Sequence, residues 1–277
     1  MSLAGKTILV TGSTDGVGRY VAERLAADGA SVIAHGRDRG RGEALVGRIE
    51  KSGGKARFLR ADLASLAEVR SLAEGVGEIC DGLDVLVNNA GIGTGGGGAR
   101  REVSADGLEL RFAVNYLAGF LLTRLLLPLI EARAPSRIVN VSSAGQQSID
   151  FSDVMLTHGY SGVRAYCQSK LAQVLFTIDL AEELKARDIT VNCLHPATYM
   201  DTTMVRVSGT RPISTVEEGG AAILQLVGSA ALDASTGRYF NGLRESRADA
   251  QAYDAQARKQ LRALSFKLVG LADPVAA

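Results

Sequence analysis

The sequence predicts an α/β fold built on a single doubly wound parallel sheet with helices on both faces. Three observations carry that prediction: short aliphatic or β-branched runs recur along the 277 residues, longer stretches of helical periodicity separate them, and a glycine-rich turn follows the first run. Strand and helix in strict alternation imply right-handed crossovers, and hence a mainly parallel sheet covered on both sides. With 46% hydrophobic residues, the chain can fill such a core as one domain spanning 1–277.

The first strand is expected in "KTILV" from Lys6, and the helix behind it in "GRYVAERLAADG" from Gly18, ended by Gly29. "SVIAH" from Ser31 is the second strand, and the helix after it closes at Gly53 and Gly54. "ARFLR" from Ala56 is the third, after which Ser65 opens "SLAEVRSLAEGVGEI" with Glu68 at the capping-box distance. "LDVLVN" from Leu83, "RIVNVSS" from Arg137, "ITVNCL" from Ile189 and "GRYF" from Gly237 complete the strands. The glycine cluster "GIGTGGGGARR" from Gly91 reads as a flexible surface loop, although loops at strand C-termini also border ligand sites in open α/β sheets. The tail "RESRADAQAYDAQARKQLRALSFKLVGL", about 244–271, reads as an amphipathic helix that packs on the domain or covers a substrate mouth.

A formal charge of +1 gives no electrostatic footprint for nucleic acid or an anionic membrane, so a small neutral or mildly charged partner is expected. Cys80, Cys167 and Cys193 are odd in number, and with His35, His158 and His195 scattered, neither a disulfide framework nor a metal site follows. "MSLAGKTILV" reaches a strand-like run too early for a signal peptide. "LAGFLLTRLLLPLI" from Leu117 is the most apolar stretch, too short for a bilayer and interrupted by Arg124 and Pro128, so no membrane span is expected. A cytoplasmic location is the default for such a chain.

The turn "VTGSTDGVGRY" places Gly12, Gly16 and Gly18 where the first strand gives way to a helix. Glycine is needed there because the backbone must approach a pyrophosphate held at the helix N-terminus, which points to dinucleotide binding. The spacing resembles that of the short-chain dehydrogenase/reductase family, and further landmarks follow in the family's order: "ADL" at 61 to 63, "NNAG" at 88 to 91, "VNYLAG" with Asn115, "VNVSS" at 139 to 143, "YCQSK" at 166 to 170, and "HP" at 195 and 196. The family usually has Pro-Gly where this chain has Pro196-Ala197, which puts the conformation of the following loop in doubt. The resemblance implies a Rossmann-type domain. It also implies cofactor contacts from Gly12, Ser13, Thr14, Asp15, Gly16, Val17 and Gly18, from Asp62 at the adenine with Leu63, from Asn89, Ala90 and Gly91, and from Pro196, Thr202, Tyr166 and Lys170.

Members that bind NAD place an acid at the end of the second strand. The position aligned with it is Gly36, followed by Arg37, in "VIAHGRDRGRG", and a guanidinium without a competing carboxylate favours the 2′-phosphate of NADP(H) over NAD(H). Two alternatives stay open: Arg37, Arg39 and Arg41 as a solvated basic loop, and Asp38 as the ribose acid if the alignment shifts by two.

Moving a hydride to a carbonyl carbon creates negative charge on oxygen, so the site needs a proton donor and a hydrogen-bond donor beside it. A tyrosine suits this once a nearby ammonium brings its phenol toward working pH, and Lys170 lies one helical turn from Tyr166. In the family pattern Tyr166 is the general acid or base, Lys170 also holds the nicotinamide ribose, Ser143 hydrogen-bonds the substrate oxygen, and Asn115 holds a water in the proton relay. By itself, Asn115 reads as a buried amide satisfied by backbone.

Ser143 and Tyr166 are 23 positions apart, further than is usual in the family. The extra segment, with "IDF" and then "GY", resembles an insertion of the retinol-dehydrogenase-like branch. Tyr160 in that insertion has Arg164 four places on, as Tyr166 has Lys170, but no family role carries over to it. The segment 197–214, with Met200 and Met204, corresponds to a substrate lid in the family. These readings add up to an NADP-dependent oxidoreductase of an alcohol or carbonyl substrate with apolar character; the resemblance further implies a homodimer or homotetramer, for which "FLLTRLLLPLI" offers apolar surface that could equally be buried within the subunit. A non-catalytic redox sensor or scaffold of the same fold is the alternative, and a sugar-nucleotide epimerase is disfavoured because little length remains for a second domain.

Overall fold

Strand β1 (Thr7–Val10) lies inside the sheet, and Ile8, Leu9 and Val10 are all buried, the pattern of a parallel strand covered on both faces. The computed structural model describes residues 3–95 and 98–275, so part of the glycine cluster after Gly91, residues 96 and 97, lies outside the described residues. The chain continues through α1 (Gly16–Ala27), β2 (Ser31–Gly36), α2 (Arg39–Lys51), β3 (Lys55–Arg60), α3 (Leu66–Ile79) and β4 (Val85–Asn88). A π-helical turn at Phe112–Leu117 runs into α4 (Ala118–Glu131), followed by β5 (Ser136–Val141), α5 (Gly162–Glu183), β6 (Ile189–His195), the short α6 (Thr203–Val207) and α7 (Val216–Gly228). β7 (Tyr239–Asn241), β8 (Arg244–Ser246) and α8 (Ala255–Val269) complete it.

The eight strands are ordered β3-β2-β1-β4-β5-β6-β7-β8, and all but the last are parallel. β8 pairs antiparallel with β7 through a two-residue hairpin in which Gly242 has φ +57°. Residues 244–246 are therefore strand rather than the start of a helical tail, which begins at Ala255. The first helix also starts earlier than its apolar pattern suggests, at Gly16, because Asp15 caps it. Ser65 caps α3 as expected, but the Glu68 carboxylate accepts from Asp62 N at 2.8 Å, so the reciprocal half of that capping box is replaced by a tie to the end of β3.

One face of the sheet is covered by α1, α2 and α7, with Leu25, Leu45, Ile49 and Ile223 in its core. The other is covered by α3, α4, α5 and α8, with Leu72, Phe120, Leu121 and Phe266. The helical run Phe112–Glu131 is 20 residues long with mean hydropathy 1.6, long and apolar enough by those measures to cross a bilayer, contrary to the expectation that it is too short. In this fold it is a core element: Tyr116, Phe120, Leu121 and Leu122 are buried, and α8 lies over it, with Phe266 edge-on to Phe120 at 5.1 Å and the Tyr116 hydroxyl 2.6 Å from Ser265 Oγ. Much of the stripe expected to supply a pairing surface is therefore buried within the subunit, the alternative the sequence also left open.

Candidate active site

The strand order reverses between β1 and β4, and the C-terminal ends of β1, β4, β5 and β6 open there onto one crevice. At its floor the glycine turn is folded so tightly that a Cβ at Gly18 would lie 2.3 Å from Gly12 O and 2.4 Å from Asn89 Nδ2. Asn89 holds this shape by donating from Nδ2 to Thr11 O (2.8 Å) and Gly12 O (3.2 Å), and the Asn89 and Ala90 N–H groups both donate to Thr11 Oγ1. Asp15 accepts from Gly16 N at 2.7 Å, while Val17 and Gly18 lie in the first turn of α1, where helix N–H groups face an anion. A cleft of about 520 Å³ opens beside this turn, bordered by Gly16, Arg19, Thr202 and Thr215.

Ser13, expected among the cofactor contacts, is engaged within the turn itself. It is fully buried, its N–H donates to His35 O at 2.9 Å, and its hydroxyl accepts from His35 N at 2.9 Å. His35, unremarked in the sequence, is the keystone of the turn: Gly12 N donates to Nδ1 at 3.2 Å, which places the ring proton on Nε2, 3.1 Å from Ala61 O. Burial lowers its pKa to about 4, so it stays neutral and keeps that tautomer. Leu63 is likewise a core residue, and Asp62 closes a local turn, accepting from Ala64 N at 3.0 Å.

At the end of β2, a Cβ at Gly36 would lie 2.6 Å from Thr14 Cγ2, so the strand end leaves no room for an acidic side chain. Arg37 follows, exposed, with its carbonyl accepting from Arg60 Nε at 3.3 Å. Asp38, the alternative ribose acid, caps α2 by accepting from Arg41 N at 3.0 Å. Beyond β6, Pro196 is buried, and Thr202 caps α6 while its Cγ2 lies 3.1 Å from the position of a Gly16 Cβ, against the glycine turn.

The side chains expected to react converge on the same crevice from β5 and α5. The two serines at the end of β5 face different partners: Ser142 Oγ donates to Lys170 O at 2.7 Å, whereas Ser143 faces Tyr166. A methyl placed on Gly145 would be 3.5 Å from Ser143 Oγ and 3.7 Å from Tyr166 Cε1, which puts both side chains around one point. On the opposite side, a methyl on Gly91 would be 3.2 Å from Asn115 Oδ1 and 3.4 Å from Lys170 Nζ. Asn115 sits in the π-helical turn, a feature common at functional sites. Its amide is fully engaged, accepting from Ile92 N (2.7 Å) and donating to Ile92 O (3.1 Å) and Ser169 Oγ (3.0 Å), so the side chain acts as the satisfied buried amide.

Lys170 is buried, with Nζ 5.9 Å from the Tyr166 ring centroid, and donates to Val141 O at 2.9 Å and Gln173 Oε1 at 3.0 Å. In this site enclosure outweighs the expected lowering of the phenol: burial raises Tyr166 above its ordinary value, with the Ser143 hydroxyl working against it. Burial without a carboxylate partner lowers Lys170 itself to about 7.

The insertion separates the two tyrosines physically. α5 begins at Gly162, so Tyr160 and Arg164 do not share a helix face; Arg164 pairs with Asp150 at 2.9 Å. Tyr160 instead accepts from Arg111 Nη1 at 2.7 Å and donates to Glu109 Oε1 at 3.1 Å, and burial pushes its phenol up to about 12. Arg111 Nε donates to Gly93 O at 2.9 Å, which ties the insertion to the loop after β4. Met204 overhangs that loop, 3.1 Å from the position of a Gly93 Cβ, while Met200 packs on Gly219 of α7.

His35 and Arg111 escape sequence reading because each acts through contacts distant in the chain, and Gln173 because its partner Lys170 is turned toward it only by burial. The one local signal is a lone amide, Gln173, in the apolar run "LAQVLF".

The family model described as short chain dehydrogenase matches residues 6–212. Human retinol dehydrogenase 13 is 35% identical over 293 residues, covering 99% of this chain and 87% of that protein. Among solved structures, an uncharacterized protein from Mycobacterium paratuberculosis superposes with a TM-score of 0.79 at 30% identity, over 99% of this chain and 96% of that one. The NADP active-site complex of Pseudomonas aeruginosa RhlG superposes with a TM-score of 0.72 at 31% identity, over 87% and 95%.

Proposed function

The chain belongs to the short-chain dehydrogenase family, in its retinol-dehydrogenase-like branch, and is an NAD(P)-dependent oxidoreductase of CH–OH and C=O groups; from that premise we propose that it uses NADP(H), with Tyr166 as general acid and base. The observation that carries this reading is the convergence of Ser143, Tyr166 and Lys170 beside a glycine turn that a single Cβ at Gly18 would fill.

The bound nicotinamide supplies or takes up the hydride. In carbonyl reduction the raised Tyr166 phenol is protonated at neutral pH and donates to the substrate oxygen, while the Ser143 hydroxyl hydrogen-bonds that oxygen as its charge grows. The Lys170 ammonium, 5.9 Å from the ring, then stabilises the phenolate left behind. In alcohol oxidation the same phenolate takes the proton back.

NADP is supported by the closed-off strand end at Gly36, the exposed Arg37 beside it, and the engagement of Asp38 as a helix cap. Gly12, Gly16, Val17, Gly18 and Thr14 would hold the phosphates and adjoining ribose, and Lys170 the nicotinamide ribose. Exposed Tyr199 and Met204 at the mouth support a substrate with apolar character, as does the similarity to a retinol dehydrogenase. A panel of ketones, aldehydes and alcohols run with NADPH and NADH tests the reading: turnover with NADPH is expected, and tight NADPH binding without turnover on any of them would favour a non-catalytic sensor.

A further inference from the structure

We propose that Gln173 is a positioning residue of this active site, whose side-chain oxygen fixes the Lys170 ammonium and keeps it charged; the inference rests on the reading of Tyr166 and Lys170 given above. Gln173 lies one turn after Lys170 on α5, is 4% exposed, and accepts from Nζ at 3.0 Å. An ammonium offers only donors, so the amide must present its oxygen to it. Val141 O, at the end of β5, takes a second N–H at 2.9 Å from the other side. Two acceptors from two elements fix the nitrogen and leave its third N–H free for the crevice, where a Cβ on Gly91 would come within 3.4 Å of it.

The titratable groups facing Lys170 make this amide important. Tyr166 stands before it on α5, and His195 faces it from β6, with its imidazole lowered first by its own burial and then by the Lys170 charge. Neither group stabilises the ammonium unless Tyr166 ionises. Its support in the resting site therefore comes from two neutral oxygens, and only Gln173 is a side chain that sequence can vary. Burial already brings Lys170 to about 7, close enough to working pH for one hydrogen bond to decide its charge. A buried amide elsewhere in the apolar run from Leu171 to Phe176 would have no such use.

The test follows the Lys170 ε-carbon resonance against pH in the full-length protein labelled with ¹³C-lysine, assigned by its loss in Lys170→Met. Wild type is expected to titrate near 7. Gln173→Leu removes the acceptor at similar volume and is expected to lower the midpoint by about one to two pH units, the loss that goes with a hydrogen bond to a charged group. Gln173→Glu keeps the acceptor, adds charge and is expected to move the midpoint the opposite way. NADPH affinity measured across the same pH range should follow these midpoints. Circular dichroism confirms that each variant is folded; should the leucine variant be unfolded, the glutamate variant alone carries the test. Midpoints identical in wild type and folded variants, or shifted in one direction by both substitutions, would overturn the proposal. Full turnover in Tyr166→Phe would instead remove the acid–base reading, and the titration of Lys170 would still report on Gln173.

Discussion

Two buried cations sit on α5 or against it, and they are treated in opposite ways. Arg124, on α4, is held by both carboxylate oxygens of Glu183 at 2.7 and 2.8 Å. Its Nε and Nη2 find no polar acceptor among the described residues and lie instead with the guanidinium over the rings of Phe266, Phe120 and Phe176, at 4.9, 5.4 and 5.9 Å from CZ to centroid. Arg262 of α8 joins the same cluster, bonding Glu183 at 2.6 Å, Asp179 at 3.0 Å and Asp273 at 2.6 Å. Burial raises Glu183, but the Arg124 hydrogen bond and charge outweigh it and leave the carboxyl low; Asp179, sharing Arg262 with two other acids, is left raised by burial. Lys170, by contrast, has only neutral oxygens as partners and titrates near 7. The cation that holds helices together is closed in by carboxylates and rings, whereas the one proposed to serve chemistry is left with neutral partners.

The largest effect is expected on the chemical side. Tyr166→Phe should reduce turnover by about 10³-fold with NADPH affinity retained, in the range usual for removing a general acid, as measured by kcat and fluorescence titration. On the structural side, Glu183→Ala leaves Arg124 buried with its rings and no carboxylate. A loss of about 3–5 kcal/mol in urea unfolding is expected, with turnover per folded molecule kept.

Lys170→Met sharpens the contrast because it should lower turnover, by less than Tyr166→Phe does, and yet stabilise the cofactor-free protein. The folded pKa, about 7, lies below the ordinary 10.5, so between those values the unfolded chain binds more protons and stability rises with pH. The gain on substitution, roughly 1–4 kcal/mol as for other buried charges replaced by apolar groups, should be full below pH 7 and fade toward 10.5. Unfolding curves at pH 6 and pH 9 compare the two regimes directly. Arg37→Ala removes an exposed cation and should weaken NADPH binding about 10- to 100-fold while leaving NADH unchanged. Equal weakening of both cofactors would remove Arg37 as the selector.

The smallest effect is expected at Tyr160→Phe, which loses the hydroxyl between Arg111 and Glu109 but keeps the ion pair at 3.7 Å. A stability loss of about 1 kcal/mol with an altered KM for bulky substrates is expected. An unchanged KM across substrate sizes would confine this tyrosine to holding the insertion in place.

Local chemistry determined much of this protein. The alternation of aliphatic runs and amphipathic stretches set the doubly wound sheet, glycine spacing set the turn at Gly12 to Gly18, and the spacing of Tyr166 and Lys170 set them one helical turn apart, because each depends on neighbours within a few residues. What tertiary structure alone decided are matters of long-range contact and burial. Ser13 is taken by His35, and the apolar α4 is buried in the core with Phe266 of α8 against Phe120. Tyr160 belongs to Arg111 rather than Arg164, and Lys170 faces Gln173 and a strand carbonyl rather than a carboxylate. The charge on a buried group follows from the atoms that surround it in space, and a linear pattern carries the spacing of such groups but not the solvent they lose.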